Sequence, residues 1–353
     1  MSGVVRAAVS ALLAAALVAA MAPPAAGAGG GALTVMTRNV FLGADLAPLA
    51  LAHSPDELSL TADAVWSRIQ ANDFARRARA LAAEIAAADP DVVALQEAFI
   101  YRSDRPSDGA ITPAETLEQD YLRILLDALK AQGHSYRAAA SFEVGDLEIP
   151  VGLPPAIDIR STDRDAMLVR AGSARRGIRV RKVAAGAYAA GLDITVAGTT
   201  VHATRGWIAT TLAVRGRQIV VFDTHLDSVS AAVRAAQGRE LLARIRAVKA
   251  PVVLLGDLNS GPGSDRTVYD ALLAAGLGDA WTQVHGRAPG VTCCFAPDLR
   301  STARALSSRV DLVLTGARIR ATRARVVGED PADRVRGLWP SDHAGVVARL
   351  RLP

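Results

Sequence analysis

Short apolar runs along the chain end abruptly in polar groups. Leu33-Thr34-Val35-Met36-Thr37 stops at Arg38-Asn39, Val92-Val93-Ala94-Leu95 at Gln96-Glu97, and Ile219-Val220-Val221-Phe222 at Asp223-Thr224-His225-Leu226-Asp227. Residues 252–255 run into Gly256-Asp257-Leu258-Asn259-Ser260, residues 310–314 form a similar run, and residues 345–350 follow Ser341-Asp342-His343. Such runs predict buried strands whose polar ends meet solvent or ligand, because charge inside a sheet is costly. Helical spacing appears over residues 64–88, where Ile69, Phe74, Ala78, Leu81 and Ile85 recur before Asp89-Pro90. Residues 121–131 place Leu122, Leu125, Leu126 and Leu129 on one face and end at Gly133. Residues 230–248 and 265–275 also read as helices. Residues 43–61, with Pro48 and Pro55, read as a loop, and so do residues 149–157 with their three prolines. From 136 to 217 the helical spacing gives way to alternation at 166–169, 178–183, 194–196 and 207–214, which predicts antiparallel hairpins. With no proline-rich linker, these elements predict one α+β domain from residue 31 to 353.

Composition adds a compartment and a size. The chain has 353 residues, 50% of them apolar, enough for one large core. Arg6 precedes an apolar run over residues 7–22, followed by Pro23-Pro24 and the small-x-small site Ala26-Gly27-Ala28. Residues 1–28 therefore read as a secretory signal peptide cleaved after Ala28, and an exported, secreted protein is expected. The only two cysteines, Cys293 and Cys294, are adjacent, which excludes a disulfide framework. They can close only on each other or stay reduced. Neighbouring side chains in a strand point to opposite faces, so a structural role is expected ahead of a shared metal. The net charge of +5 favours anionic partners without deciding among them.

The strand ends carry the candidate chemistry. Asp257 and Asn259 are two apart, which puts both side chains on one side of an extended segment. A carboxylate there can hold or deprotonate water, and the amide can donate to a phosphoryl oxygen. An ordinary Asx turn is the alternative. Glu97 suits a hard divalent cation, which takes one or two carboxylates and completes its shell with water and phosphate, with Asn39 as a neutral neighbour. His225 and His343, two of six histidines, each stand near an aspartate, Asp227 and Asp342. Imidazole can neutralise phosphorane charge or accept a proton from water. It needs an orienting acceptor, and Asp311 fits that role unless it pairs with Arg309. His53, His134, His202 and His285 lie in plain settings. Arg205 could bring a guanidinium to phosphate. The basic arm over residues 175–182 suits either a nucleic-acid backbone, anionic lipid or a charge-protected edge strand.

Taken in order, Arg38-Asn39, Leu95-Gln96-Glu97, Thr224-His225-Leu226, Gly256-Asp257-Leu258-Asn259-Ser260, Arg309-Val310-Asp311 and Ser341-Asp342-His343 resemble the endonuclease/exonuclease/phosphatase superfamily. The resemblance spans residues 33–350. It implies a four-layer α/β/β/α sandwich of the DNase I-like kind. It also implies Mg²⁺ or Mn²⁺ at Glu97, with Asn39 and Asp342 near the metal. Asp257 would act on the attacking water, Asn259 would hold a phosphoryl oxygen, His225 would act as acid or charge stabiliser, and His343, oriented by Asp311, would contact the phosphate. The superfamily's mid-chain phosphate contact has no unambiguous match; Arg164 or Asp165 is expected near that region.

The expected activity is metal-dependent phosphoester hydrolysis by in-line attack of water, with nucleic acid as first substrate and a monomer as the working form. A sphingomyelinase- or phospholipase C-like enzyme is the alternative; it requires an apolar hairpin at a membrane, for which residues 149–155 are the candidate. A non-catalytic secreted binding module is the alternative of another class.

Overall fold

Two sheets carry the molecule. In the computed structural model, which describes residues 31–301 and 305–353, the first sheet has eight strands. Its order is Arg320–Val327, Gly345–Arg351, Ala32–Asn39, Val92–Gln96, Ile157–Arg170, Ile100–Asp104 and Thr116–Asp120, with Tyr136–Val151 also pairing with Ile157–Arg170. The second runs Gly278–Asp279, Asp311–Thr315, Val252–Asp257, Arg217–His225, Thr199–Val214 and Ile178–Val196. The expected signal peptide lies outside the described residues.

Period-two alternation explains how the sheets pack. Leu33, Val35, Val92, Ala94, Met167 and Val169 of the first sheet meet Ile208, Leu212, Ile219, Val221, Val253, Leu255 and Val313 of the second in one buried cluster. The outer face of the first sheet is covered by the helices Pro55–Ala71, Phe74–Ala88 and Tyr121–Ala131. The outer face of the second is covered by Ala231–Ala247 and Thr267–Ala274. The result is the four-layer α/β/β/α arrangement. Continue each inward column by one more alternation and the residue becomes polar: Thr37, Gln96, Asp165, Asp223, Asp257 and Asp311, all buried. The inter-sheet layer is thus apolar along most of its length and polar at one end.

The helix expected over residues 64–88 is two helices, and the first begins in the stretch read as a loop. Pro55 occupies its first turn, where a missing N–H costs nothing, and the Ser54 hydroxyl accepts the Glu57 N–H at 3.2 Å. The break falls at Asn72-Asp73, where Asp73 (φ 38°) turns left-handed and caps the second helix by accepting the Arg76 N–H at 3.1 Å. The hairpins between 136 and 214 are far longer than the alternation suggested. Residues 149–157 are an exposed loop only at their tip: residues 153–156 are exposed, whereas Ile149 and Val151 are buried strand residues and the Gly152 N–H donates to the Ser59 carbonyl at 3.1 Å. Only Leu153 there is a large exposed apolar residue. The basic arm is a short 3-10 turn, Ser173–Arg176, leading into the edge strand Ile178–Val196, on which Arg179, Arg181 and Lys182 are exposed. Among the described residues no helix is long and apolar enough to cross a membrane.

Candidate active site

The polar end of the inter-sheet layer is a row of aligned strand ends. In register, Asp257 lies opposite His225 on one side and Asp311 on the other, while Asn39 lies opposite Gln96 in the first sheet. Gly256 makes the alignment possible. Its φ is +148°, and a Cβ there would collide with the Thr224 carbonyl oxygen. Beyond the strand, the Leu258 N–H donates to the Val310 carbonyl at 3.0 Å and the Leu226 N–H to the Asp257 carbonyl at 3.0 Å.

Asp257 is the hub. Its Oδ1 accepts the Asn259 N–H at 2.9 Å, and its Oδ2 accepts the Asn39 amide at 3.2 Å. The same Oδ2 lies 3.6 Å from His225 Nε2 and 3.7 Å from His343 Nδ1. Asn259 (φ 45°) takes the left-handed turn that the Asx reading anticipated, and its amide donates to the Leu226 carbonyl at 3.0 Å. The Asn39 amide also donates to Glu97 Oε1 at 2.9 Å, so one side chain joins the two sheets. Glu97 Oε2 accepts the Leu42 N–H at 2.8 Å. Asn39 Oδ1 accepts the Phe41 N–H at 2.9 Å.

His343 and Asp311 form a buried pair, Nδ1 to Oδ2 at 2.8 Å. Arg309 does not compete for Asp311, because its guanidinium pairs with Asp279 at 2.5 Å and with the Pro289 carbonyl at 3.1 Å. Burial alone would depress the His343 imidazole, yet the charges of Asp311, Asp257 and Asp342 hold it well above the usual histidine value. His225 is displaced the opposite way. Burial, then the Arg205 and His343 charges, push it well below that value. At neutral pH the site therefore holds one imidazolium and one neutral imidazole. Burial raises Asp257 to about 6 and Asp342 to about 7, with the Glu97 charge adding to the rise at Asp342.

Arg205 stands beside this group. It donates to Asp163 Oδ2 at 2.6 Å and lies 3.3 Å from His225 Nδ1. Because a guanidinium only donates, that contact makes Nδ1 the acceptor and leaves the His225 proton on Nε2, toward Asp257. Asp227 does not orient His225: its Oδ1 accepts the Val229 and Ser230 N–H groups at 3.0 and 2.6 Å. Arg164 is turned away from the site, donating to Ala98 and pairing with Asp120 at 2.5 Å. Asp165 is buried between the sheets with neither carboxylate oxygen hydrogen-bonded, and burial with the Asp223 and Asp163 charges raises its pKa well above the carboxylate range.

Two arginines support the rim: Arg77, which the sequence did not single out, and Arg38 of the Arg38-Asn39 strand end. Arg77 is buried and donates to the carbonyls of Asn72, Val40, Phe41 and Pro340 at 2.7–3.0 Å, bracing the loops that leave Asn39 and enter Ser341. Arg38 pairs with the buried Glu84 at 3.0 Å and donates to the His343 carbonyl. Cys293 and Cys294 are joined to each other and lie against His343, with Cys294 Sγ 3.7 Å from Nε2. Both sulfurs thus reach one side, against the strand-based expectation of opposite faces.

The family profile of the Endonuclease/Exonuclease/phosphatase family matches residues 65–343. No curated protein matches the chain. Among solved structures, an endonuclease/exonuclease/phosphatase family protein of Bacteroides thetaiotaomicron aligns with a TM-score of 0.57 at 16% identity, covering 92% of this chain and 99% of that one. TDP2 of D. rerio, complexed with a single strand DNA product, aligns at 0.54 and 20% identity, covering 90% and 98%. A mannosyl-6-phosphatase of Bacteroides thetaiotaomicron aligns at 0.55 and 17% identity, covering 90% and 99%. At these identities the likeness establishes the fold.

Proposed function

Because the chain belongs to the endonuclease/exonuclease/phosphatase family, whose members are hydrolases of phosphoester bonds, we propose that this protein is an exported, divalent-cation-dependent phosphodiesterase that cleaves nucleic acid. The observation that carries the reading is the Asn39 amide, which holds Glu97 and Asp257 together across the two sheets at 2.9 and 3.2 Å. It joins a hard-cation ligand to a proton acceptor at one rim.

The donor set fits Mg²⁺ or Mn²⁺. Glu97 and Asp342 offer carboxylate oxygens, and the rise of Asp342 to about 7, caused by burial and then by the Glu97 charge, is the crowding that a bound cation relieves. Asn39, whose amide is committed at both ends, positions Glu97. When bound, the cation supplies Lewis-acid polarisation of a phosphoryl oxygen. The protein does the rest. Asp257 orients water and takes its proton as the water oxygen bonds to phosphorus. The opposite bond, from phosphorus to the leaving oxygen, breaks in line, and that oxygen is protonated from solvent. His343, charged and fixed by Asp311, binds the developing phosphoryl charge through Nε2, while neutral His225 and the free N–H of the Asn259 amide donate to phosphoryl oxygens. Arg205 holds the His225 tautomer.

Nucleic acid is favoured over lipid by two features. Arg179, Arg181 and Lys182 are exposed on an edge strand, and the exposed tip of the 149–155 hairpin offers Leu153 as its one large apolar side chain and no aromatic anchor. The likeness to a DNA-bound TDP2 accords with this choice. Export is supported by Arg6, the apolar run and Ala26-Gly27-Ala28. The test is hydrolysis by purified protein with Mg²⁺ against plasmid DNA, RNA, sphingomyelin vesicles and a soluble phosphomonoester. Rapid loss of DNA or RNA is expected. Turnover of sphingomyelin alone would replace the substrate assignment, and no turnover of any would reject the hydrolase.

A further inference from the structure

Cys293 and Cys294 are absorbed by neither the fold's core nor the proposed chemistry, yet they are held hard against the site. The Phe295 N–H donates to the Asp342 carbonyl and the Ala344 N–H to the Thr292 carbonyl, both at 2.7 Å, so the segment bridges the residues on either side of His343. Its other edge is fixed as well, since the Ser307 N–H donates to the Cys293 carbonyl at 2.7 Å and Thr292 Oγ1 accepts the Asp311 N–H at 3.2 Å. Donor atoms of Cys293, Cys294 and His343 all lie within 4.8 Å of one another.

We propose that, once the Cys293–Cys294 bond is opened, these two sulfurs and His343 Nε2 form a binding site for a soft or borderline divalent cation such as Zn²⁺ or Cd²⁺, separate from the carboxylate site for the hard cation. Three features make the site a built one. Two thiolates and an imidazole are the donor set that such ions prefer. The imidazole's other nitrogen is fixed by Asp311 at 2.8 Å, the carboxylate–histidine arrangement that orients a metal-binding ring. Cys294 is exposed, which provides an entry path. Opening the bond takes two electrons: a phosphine gives them to the sulfurs and, with water, becomes its oxide, leaving two thiols. Binding then releases the two thiol protons and any proton on Nε2 to solvent. The site itself assumes nothing about the reaction. Its effect on hydrolysis rests on the proposed role of His343, whose Nε2 it would occupy.

The test is titration of the full chain with Cd²⁺ in excess Mg²⁺, with and without phosphine treatment, read by the thiolate-to-cadmium charge-transfer band. One Cd²⁺ per treated chain is expected and none at this site in the untreated protein. The Cys293→Ser/Cys294→Ser variant should lose the band. His343→Ala should weaken affinity at least about tenfold, as loss of a ligand does. Should that variant fail to fold, cadmium NMR of the wild type distinguishes two sulfurs with one nitrogen, the expected result, from sulfur alone. No band in the treated wild type, unchanged affinity in a folded His343→Ala, or a sulfur-only signal would each overturn the site. Hydrolysis on DNA is read separately, and a treated chain that binds Cd²⁺ while keeping its turnover would overturn only the role given to His343.

Discussion

The most exacting prediction concerns Asp257, because its environment sets activity and stability against each other. Burial, offset in part by the His343 charge, holds its carboxyl at about 6 against an ordinary 3.8. A carboxyl displaced that far makes the ionised folded chain about 3 kcal/mol less stable than one with a neutral group in its place. The sign follows from protons. Below pH 3.8 the group is neutral in both states and no penalty exists; between 3.8 and about 6 the unfolded chain ionises while the folded chain keeps its proton, so stability falls, and above 6 the full penalty of the buried charge is in place. Asn is nearly isosteric with the neutral acid. In cation-free buffer, Asp257→Asn should therefore match the wild type near about pH 4 and exceed it by roughly 2–3 kcal/mol near about pH 8, with the difference growing between them. Urea denaturation across that range measures it. The same variant should lower Mg²⁺-dependent hydrolysis by about a hundredfold or more. An Asp257→Asn variant no more stable than wild type at the alkaline end would refute the account of Asp257 as a strained, desolvated base.

Three further outcomes can be checked directly. Asp311→Asn, which removes the orienting acceptor 2.8 Å from His343 Nδ1, should reduce kcat by about 10²–10⁴ with little change in KM; a kcat near wild type would reject the pairing as functional. Arg77→Met leaves four carbonyls without their donor, each worth about 1–3 kcal/mol when buried, so it should destabilise by at least about 3 kcal/mol in urea, and an unchanged midpoint would contradict the bracing role. A chelator should abolish hydrolysis and excess Mg²⁺ should restore it; full turnover in chelator would exclude Glu97 as a cation ligand.

What the sequence made readable was the inter-sheet geometry at its simplest. The columns 33/35/37, 92/94/96 and 253/255/257 keep strict alternation, so the change from apolar to polar marks where each strand leaves the core. Asn39, Glu97, His225, Asp257, Asp311 and His343 stand at or beside such ends, and the structure brings them together. The long hairpins hid themselves because they slip. Register shifts at Ala138/Ala140 and Glu143/Gly145, and at Val180/Lys182 on the neighbouring sheet, exchange the faces partway along and cut the alternation into short pieces. The helix break at Asn72-Asp73 carries neither glycine nor proline, only a left-handed aspartate. Arg77 was the least legible residue. Helical spacing puts it on the face of Phe74, Ala78 and Leu81, but nothing near it in sequence shows what a buried guanidinium would bind, and its four carbonyl acceptors come from segments up to 263 residues away.

The rim joins distant parts of the chain: the Ser341 hydroxyl donates to the Asn39 carbonyl across 302 residues, and Gly345–Arg351 lies between Ala32–Asn39 and Arg320–Val327. Contacts of such long range form late. During synthesis, a growing polypeptide holds Asn39, Glu97 and even Asp257 before His343 has been translated. A site assembled in this order stays incomplete on the ribosome until the final strand arrives.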